Sequence, residues 1–143
     1  MKIKTILVPL DGSENSLKSL RQGLDLAGQL GASVVGLHVK TDMSAFAAVH
    51  ALIIDESKWP SHVKDIMAEA RKEAGRTKVP YQDIVIGGMA AGYDIVTFAE
   101  GKRNAIDLIV MARRGSALPK EAFPGSTTNF VIHKSKVPVL LVR

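Results

Sequence analysis

Ile106-Asp107-Leu108-Ile109-Val110-Met111-Ala112-Arg113-Arg114-Gly115, followed after nine residues by Gly125-Ser126-Thr127, is the stretch that orders the rest of the chain. The apolar run 106–111 predicts a buried strand, and the segment from Thr127 to His133 predicts a short helix, amphipathic over Phe130 to His133. Strand, glycine-punctuated loop and helix start together aim free backbone N–H groups at a point where a phosphate can sit. Arg113, Arg114 and Lys120 add positive charge to that loop. Ala112 stands where a tighter loop would take glycine.

Outward from this stretch, strands and helices alternate. Ile3 to Val8 predicts a strand closed by Pro9, and Asp11-Gly12-Ser13 a turn with Ser13 as helix N-cap. Leu17, Leu20, Leu24, Ala27 and Leu30 recur at helical spacing up to Gly31. Ser33 to Val39 is a second strand. Residues 41–58 are apolar in the middle (Phe46, Ala47, Ala48, Val49, Leu52, Ile53, Ile54) and predict a partial helix or lid. Beyond Trp59-Pro60-Ser61, the residues Val63, Ile66, Met67, Ala70 and Ala74 share one helical face, with Trp59 expected over the core. Ile84 to Ile86 is a third strand, Ile95 to Ala99 a helix, and Val137 to Val142 a fifth strand. Branched apolar strands, each followed by a helix, give a doubly covered parallel α/β sheet in one domain, 1–143. Ligands bind such sheets at the carboxyl ends of strands, where the strand order reverses. The two turns Asp11-Gly12-Ser13 and Ala112–Thr127 open on that crevice if their strands are neighbours.

The chain has 143 residues, 46% apolar and 23% charged, which describes a globular protein with a real core. It has no cysteine, so disulfides and thiolate chemistry are excluded. No apolar run approaches the roughly 20 residues needed to span a bilayer, and a cytoplasmic location without a membrane partner is expected. The net charge of +5 is uneven. Residues 101–143 hold eight Lys and Arg against Asp107 and Glu121, whereas residues 1–100 hold eleven against twelve Asp and Glu. This surplus reads either as a solvated basic face or as attraction for a polyphosphate. Nucleic acid is not expected, since few aromatics are available for stacking.

No G-x-x-x-x-G-K-[ST] loop, G-x-G-x-x-G turn or G-x-S-x-G elbow occurs. His38, His50, His62 and His133 lack metal-ligand spacing, so no metal site of the chain's own is expected, and no catalytic residue is assigned. Gly115 allows close backbone approach to a ligand, and Gly125 precedes a helix N-terminus where Ser126 and Thr127 supply hydroxyls. Taken alone, Ser126 reads first as the N-cap of the last helix, and Asp11 equally as a turn-forming residue before the first. Asp107 reads as a polar turn contact.

Spacing and context together resemble the universal stress protein family. Its nucleotide-binding members show G-x-x-G, nine residues, then G-[ST] after the fourth strand; here these are Ala112-x-x-Gly115, Ser116 to Pro124 and Gly125-Ser126. Pro9-Leu10-Asp11-Gly12-Ser13, His38-Val39, Asp107 to Met111 and the closing Val137-Pro138-Val139-Leu140-Leu141-Val142 are similar to further family motifs. The resemblance runs from Lys4 to Val142 and is weakest over 41–80.

The resemblance implies a five-stranded parallel, Rossmann-like sheet of order 3-2-1-4-5 with helices on both faces. It implies an adenine nucleotide, ATP with or without Mg²⁺, at the ends of strands 1 and 4. Adenine and ribose would lie near Pro9, Asp11, Val39 and Met111, and phosphates on Ala112, Arg114, Gly115, Gly125, Ser126 and Thr127. Asp11 would accept from ribose hydroxyls or help hold a phosphate-bound metal. If the backbone at Ala112 had positive φ, its β-carbon would cost roughly 1 kcal/mol. The apolar last strand, an edge needing cover, predicts a homodimer paired through Val137 to Val142. The leading function is a nucleotide-binding stress-response regulator. A nucleotide-free interaction module of the same fold is the alternative, and a slow ATPase, for which no base is assigned, ranks third.

Overall fold

A computed structural model describes residues 1–41, 52–114 and 125–143. Five parallel strands, β1 (Thr5–Pro9), β2 (Ser33–Lys40), β3 (Tyr81–Gly87), β4 (Leu108–Ala112) and β5 (Val139–Val142), lie in the order β3-β2-β1-β4-β5. Four helices connect them: α1 (Glu14–Leu30), α2 (Ser61–Gly75), α3 (Ala91–Glu100) and α4 (Ser126–Lys134). The expected architecture and strand order are those observed.

Strand alternation divides the apolar residues between two layers. Ile6, Val8, Val34, Leu108 and Val110 face α1 and α2, where Leu20, Leu24, Val63 and Met67 complete one core. Leu7, Val35, Leu37, Ile109 and Met111 face α3 and α4 and meet Ile95, Val96, Ala99 and Val131. Leu7 and Ile109, side by side on neighbouring strands, are both fully buried. Each such residue contributes about 1.5–3 kcal/mol relative to exposure, which is why the two central strands read as continuous apolar runs.

Local chemistry sets the boundaries. Ser13 caps α1 by accepting the Ser16 N–H at 3.0 Å, and Gly31 ends it in the left-handed region at φ 68°. Asp107 Oδ2 accepts the N–H groups of Lys4 and Thr5 at 2.8 and 3.0 Å, tying the start of β1 to the chain entering β4. Asp107 is thus a polar contact as expected, but across to another strand and not within its own turn, and β4 begins at Leu108, two residues after the expected start. Trp59 is buried in the first core, as expected.

The expectation of a helix or lid over 41–58 requires correction in its described part; residues 42–51 lie outside the described residues. Leu52 to Ile54 run extended along the free edge of β3, with an antiparallel bridge between Ile53 and Ile86 and a bond from Ile54 N–H to the Val85 carbonyl at 2.8 Å. A single 3-10 turn, Glu56–Lys58, follows. Arg71 on α2 clamps it, bonding Glu56 at 2.7 and 2.9 Å and Asp83 of β3 at 2.6 and 3.2 Å while lying over the Trp59 ring. The segment covers a sheet edge that would otherwise present unpaired backbone groups.

Candidate functional site

β1 pairs with β2 on one side and β4 on the other, so the chain turns in opposite directions after these two neighbouring strands. Their carboxyl ends flank the crevice at the topological switch point. Each wall is built by a few specific bonds.

At the end of β1, Asp11 Oδ1 accepts the Ser13 N–H at 2.9 Å, closing the turn into α1. Gly12 within it has φ 86°, a conformation that strains any residue with a β-carbon. His38 donates from Nδ1 to the Leu10 carbonyl at 2.7 Å, because a carbonyl oxygen can only accept. That bond fastens the end of β2 to the β1 turn. Asp11 is exposed and Pro9 and Val39 are half-buried at the same end of the sheet.

Beside Val39, the turn from β3 into α3 is held by a buried carboxylate that sequence reading missed. Ala90 occupies the N-cap position and has no side chain able to accept a bond. Asp94, buried among apolar neighbours, substitutes by taking the Met89 and Ala90 N–H groups at 2.8 and 2.9 Å. Gly88 lies beneath that carboxylate and against Val39, in space a β-carbon would fill.

At the end of β4, Met111 is buried in the second core, and Ala112 and Arg114 are half-buried. Ala112 continues the strand in register with Val142. Among the described residues, the non-glycine position with positive φ is Ala105, at 49°, so alanine at 112 carries no left-handed strain. The Ala112 carbonyl accepts from Thr128 Oγ1 at 2.8 Å, and the Gly125 N–H bonds the Arg113 carbonyl at 2.9 Å. Both bonds pin the start of α4 to the end of β4.

Gly125 is the N-cap of α4 and supplies no side-chain bond, while Ser126 is the first helical residue. The reading of Ser126 as the cap is therefore corrected: Ser126 is exposed in the first helical position, one residue past the cap. The first helical backbone bond is Asn129 N–H to the Gly125 carbonyl at 2.8 Å. The N–H groups of Ser126, Thr127 and Thr128 consequently have no intrahelical acceptor and form the positive end of the helix dipole.

The fold thus collects Pro9, Asp11, Val39, Met111, Ala112, Arg114, Gly125, Ser126 and Thr127 at one end of the sheet. Gly115 and the spacer 116–124 lie outside the described residues. Thr128, which sequence reading also missed, is buried behind them and could have been suspected from the Ser126-Thr127-Thr128 run. Among the described residues no group of three or more His, Asp or Glu is arranged to hold a metal ion.

The universal stress protein family model matches residues 2–143. Universal stress protein YxiE of Bacillus subtilis is 31% identical over 96% of this chain and 97% of its own. Universal stress protein MJ0531 of Methanocaldococcus jannaschii is 29% identical over 98% of this chain and 82% of its own. Among solved structures, the universal stress protein UspA of Lactobacillus plantarum shares the fold at a TM-score of 0.79 and 22% identity, covering 100% of this chain and 99% of its own. A universal stress protein in complex with cAMP aligns at 0.73 and 21% identity, over 100% of this chain and 98% of its own. With its sheet order, its crevice and a family match along nearly its whole length, this chain belongs to the universal stress protein family.

Proposed function

We propose that the crevice between β1 and β4 binds an adenine nucleotide, ATP in the leading reading, and that the protein acts as a nucleotide-responsive regulator in the stress response. The observation that carries this reading is the start of α4, where three backbone N–H groups without intrahelical acceptors stand beside the end of β4 at the switch point. Arg114 and the Ser126 and Thr127 hydroxyls supply further donors for phosphate. Asp11 stands across the crevice as acceptor for ribose hydroxyls, with Pro9, Val39 and Met111 as the apolar surroundings of the base. A Mg²⁺ ion would be held chiefly by the phosphates. The structure of a relative with cAMP, and that of an Archaeoglobus fulgidus universal stress protein with dAMP, support the chemistry of the ligand. The chain works as a homodimer in this reading, joined along the free edge of β5.

Protein purified without added nucleotide, denatured and filtered should release adenine nucleotide, and the emptied protein should gain thermal stability with Mg-ATP. An empty filtrate together with no shift on adding Mg-ATP, cAMP or AMP would overturn the proposal in favour of a nucleotide-free module.

A further inference from the structure

The basic surplus of residues 101–143 is divided by the fold, and half of it points away from the crevice. Lys102 and Arg103 precede β4, and Lys134 and Lys136 precede β5, so all four lie at the amino ends of the strands. Lys2 and Lys4 precede β1 at that same end, and Arg76 and Lys78 precede β3. Four of the five segments that enter a strand therefore carry a pair of cations, and all eight side chains are exposed.

Four carboxylates share this end. Asp107 accepts backbone N–H groups from Lys4 and Thr5, and Glu100 accepts one from Lys136 at 2.8 Å. Asp25 takes the Gln29 amide at 3.2 Å. Glu73 bonds Arg21 of α1 at 3.0 Å and meets Arg76 at 3.7 Å. The cations outnumber them two to one.

The fifth entering segment, Leu30-Gly31-Ala32, carries no charge and leaves Leu30 48% exposed. Beside it a cleft of about 570 Å³ opens between the end of α1 and the α2–β3 connection. Buried Leu24 and Ala27 form its floor, and exposed Arg76 and Lys78 its rim.

We propose that this end face docks the protein on the surface of an anionic phospholipid bilayer. Point charges spread over a broad face suit headgroups, which impose no fixed geometry on a lysine. Leu30 and the apolar floor beside it suit the boundary between headgroups and acyl chains. Nucleic acid fits less well. No helix or ribbon projects from this end among the described residues, and the exposed aromatic among them, Tyr93, lies at the start of α3 on the opposite side. The contact is peripheral: no helix among the described residues is long and apolar enough to cross a membrane. It stands whether or not the crevice holds nucleotide.

The test is co-sedimentation of the whole protein with phosphatidylcholine vesicles, with and without roughly 30% phosphatidylglycerol. Binding should require the anionic lipid and fade as ionic strength rises past about 0.1 M, where the Debye length is near 10 Å. The variant Lys102→Gln/Arg103→Gln/Lys134→Gln/Lys136→Gln should lose more than tenfold in partition, since each cation near the surface contributes roughly fivefold. A control of equal net charge, Lys18→Gln/Lys58→Gln/Lys64→Gln/Arg143→Gln, removes exposed cations away from this end and should bind nearly as wild type. Melting temperatures verify that both variants fold. The proposal fails if the wild-type protein ignores anionic vesicles at low salt. It fails equally if both variants weaken alike, or if duplex DNA competes fully with the vesicles.

Discussion

Thr128 Oγ1 donates to the Ala112 carbonyl at 2.8 Å, joining the first turn of α4 to the last residue of β4. Thr128 is buried, so the bond is shielded from water and the carbonyl has no easy substitute partner. Thr128→Val keeps the shape and removes the donor. It should destabilise the protein by about 1–3 kcal/mol, the cost of a buried acceptor left unpaired. It should also weaken nucleotide binding, because the N–H groups of Ser126 and Thr127 are aimed through this anchor. Urea denaturation and calorimetric titration with Mg-ATP read the two effects; a wild-type value for both would remove Thr128 from the site's support.

Ala112→Gly restores the glycine expected from nucleotide-binding relatives. Since Ala112 sits in a strand paired with Val142 and not in the left-handed region, the glycine relieves no backbone strain. The variant should lose about 0.5–1 kcal/mol of stability through added unfolded-state freedom. Nucleotide affinity should change by less than about threefold, well under the 1.4 kcal/mol that a tenfold change represents. A tenfold gain in affinity would mean that the alanine methyl obstructs the ligand.

These two residues mark where reading the sequence stops. The strands and their doubly covered parallel class were legible because Leu7, Ile109 and their neighbours are buried on both faces and leave unbroken apolar runs between turn residues, whereas the strand order was implied only by the family resemblance. Ser13 and Gly31 were legible as caps, since each acts within its own turn. Ser126 obeyed the same statistical preference yet is not the cap, because Gly125 is held by its backbone bond to Arg113. Thr128 with Ala112 and His38 with Leu10 are joined across many residues, and no spacing announces such pairs. Asp94 and Gly88 are only six residues apart, but their contact depends on a buried carboxylate that apolar periodicity does not register. Charge was legible in amount but not in placement: only the topology shows that Lys102 and Lys134 face away from Arg114.

Tyr81 makes a different case. Among the described residues its hydroxyl is buried without a hydrogen-bond partner, and it rests over Gly36, where a β-carbon would collide with the phenol. Burial pushes its ionisation well above the ordinary tyrosine range. Removing an unsatisfied hydroxyl costs no bond and avoids its desolvation. Tyr81→Phe should therefore be neutral or stabilising by up to about 1 kcal/mol, measured by thermal and urea unfolding. A loss above about 1 kcal/mol would show that the hydroxyl is bonded in solution, for instance to an ordered water.

Arg71 predicts a pH dependence. Its guanidinium bonds hold the Glu56 carboxyl below the usual glutamate range, and Arg21 does the same for Glu73. A depressed folded-state pKa gives stability that is present above the unfolded value, about 4.3, and lost as pH falls from there through the lower folded-state value. Arg71→Met should lower the melting temperature at pH 7. The gap to wild type should narrow as pH falls below about 5 and Glu56 takes up its proton, first in the variant and at lower pH in wild type. A gap that stays constant through that range would assign the effect to packing on Trp59 instead of charge.

β5 supplies the last prediction, through the side of the strand its backbone leaves open. The Pro138 carbonyl accepts from Ile109 N–H and the Val142 carbonyl from Arg113 N–H, both at 2.9 Å, so these residues turn their backbone groups toward β4. Alternation then directs the N–H and C=O groups of Val139 and Leu141 to the free edge. The donor missing at Pro138 would have faced β4, so the proline does not obstruct pairing with a second copy. Leu140 and Leu141 stay 43% and 38% exposed in the single chain, as expected of an edge awaiting a partner. Leu141→Pro removes an outward donor, and Leu140→Lys places a charge on each copy near the two-fold axis. Light scattering after size exclusion should give twice the chain mass for wild type and one chain mass for either variant, with melting still cooperative. A dimer that survives both substitutions would move the interface off β5.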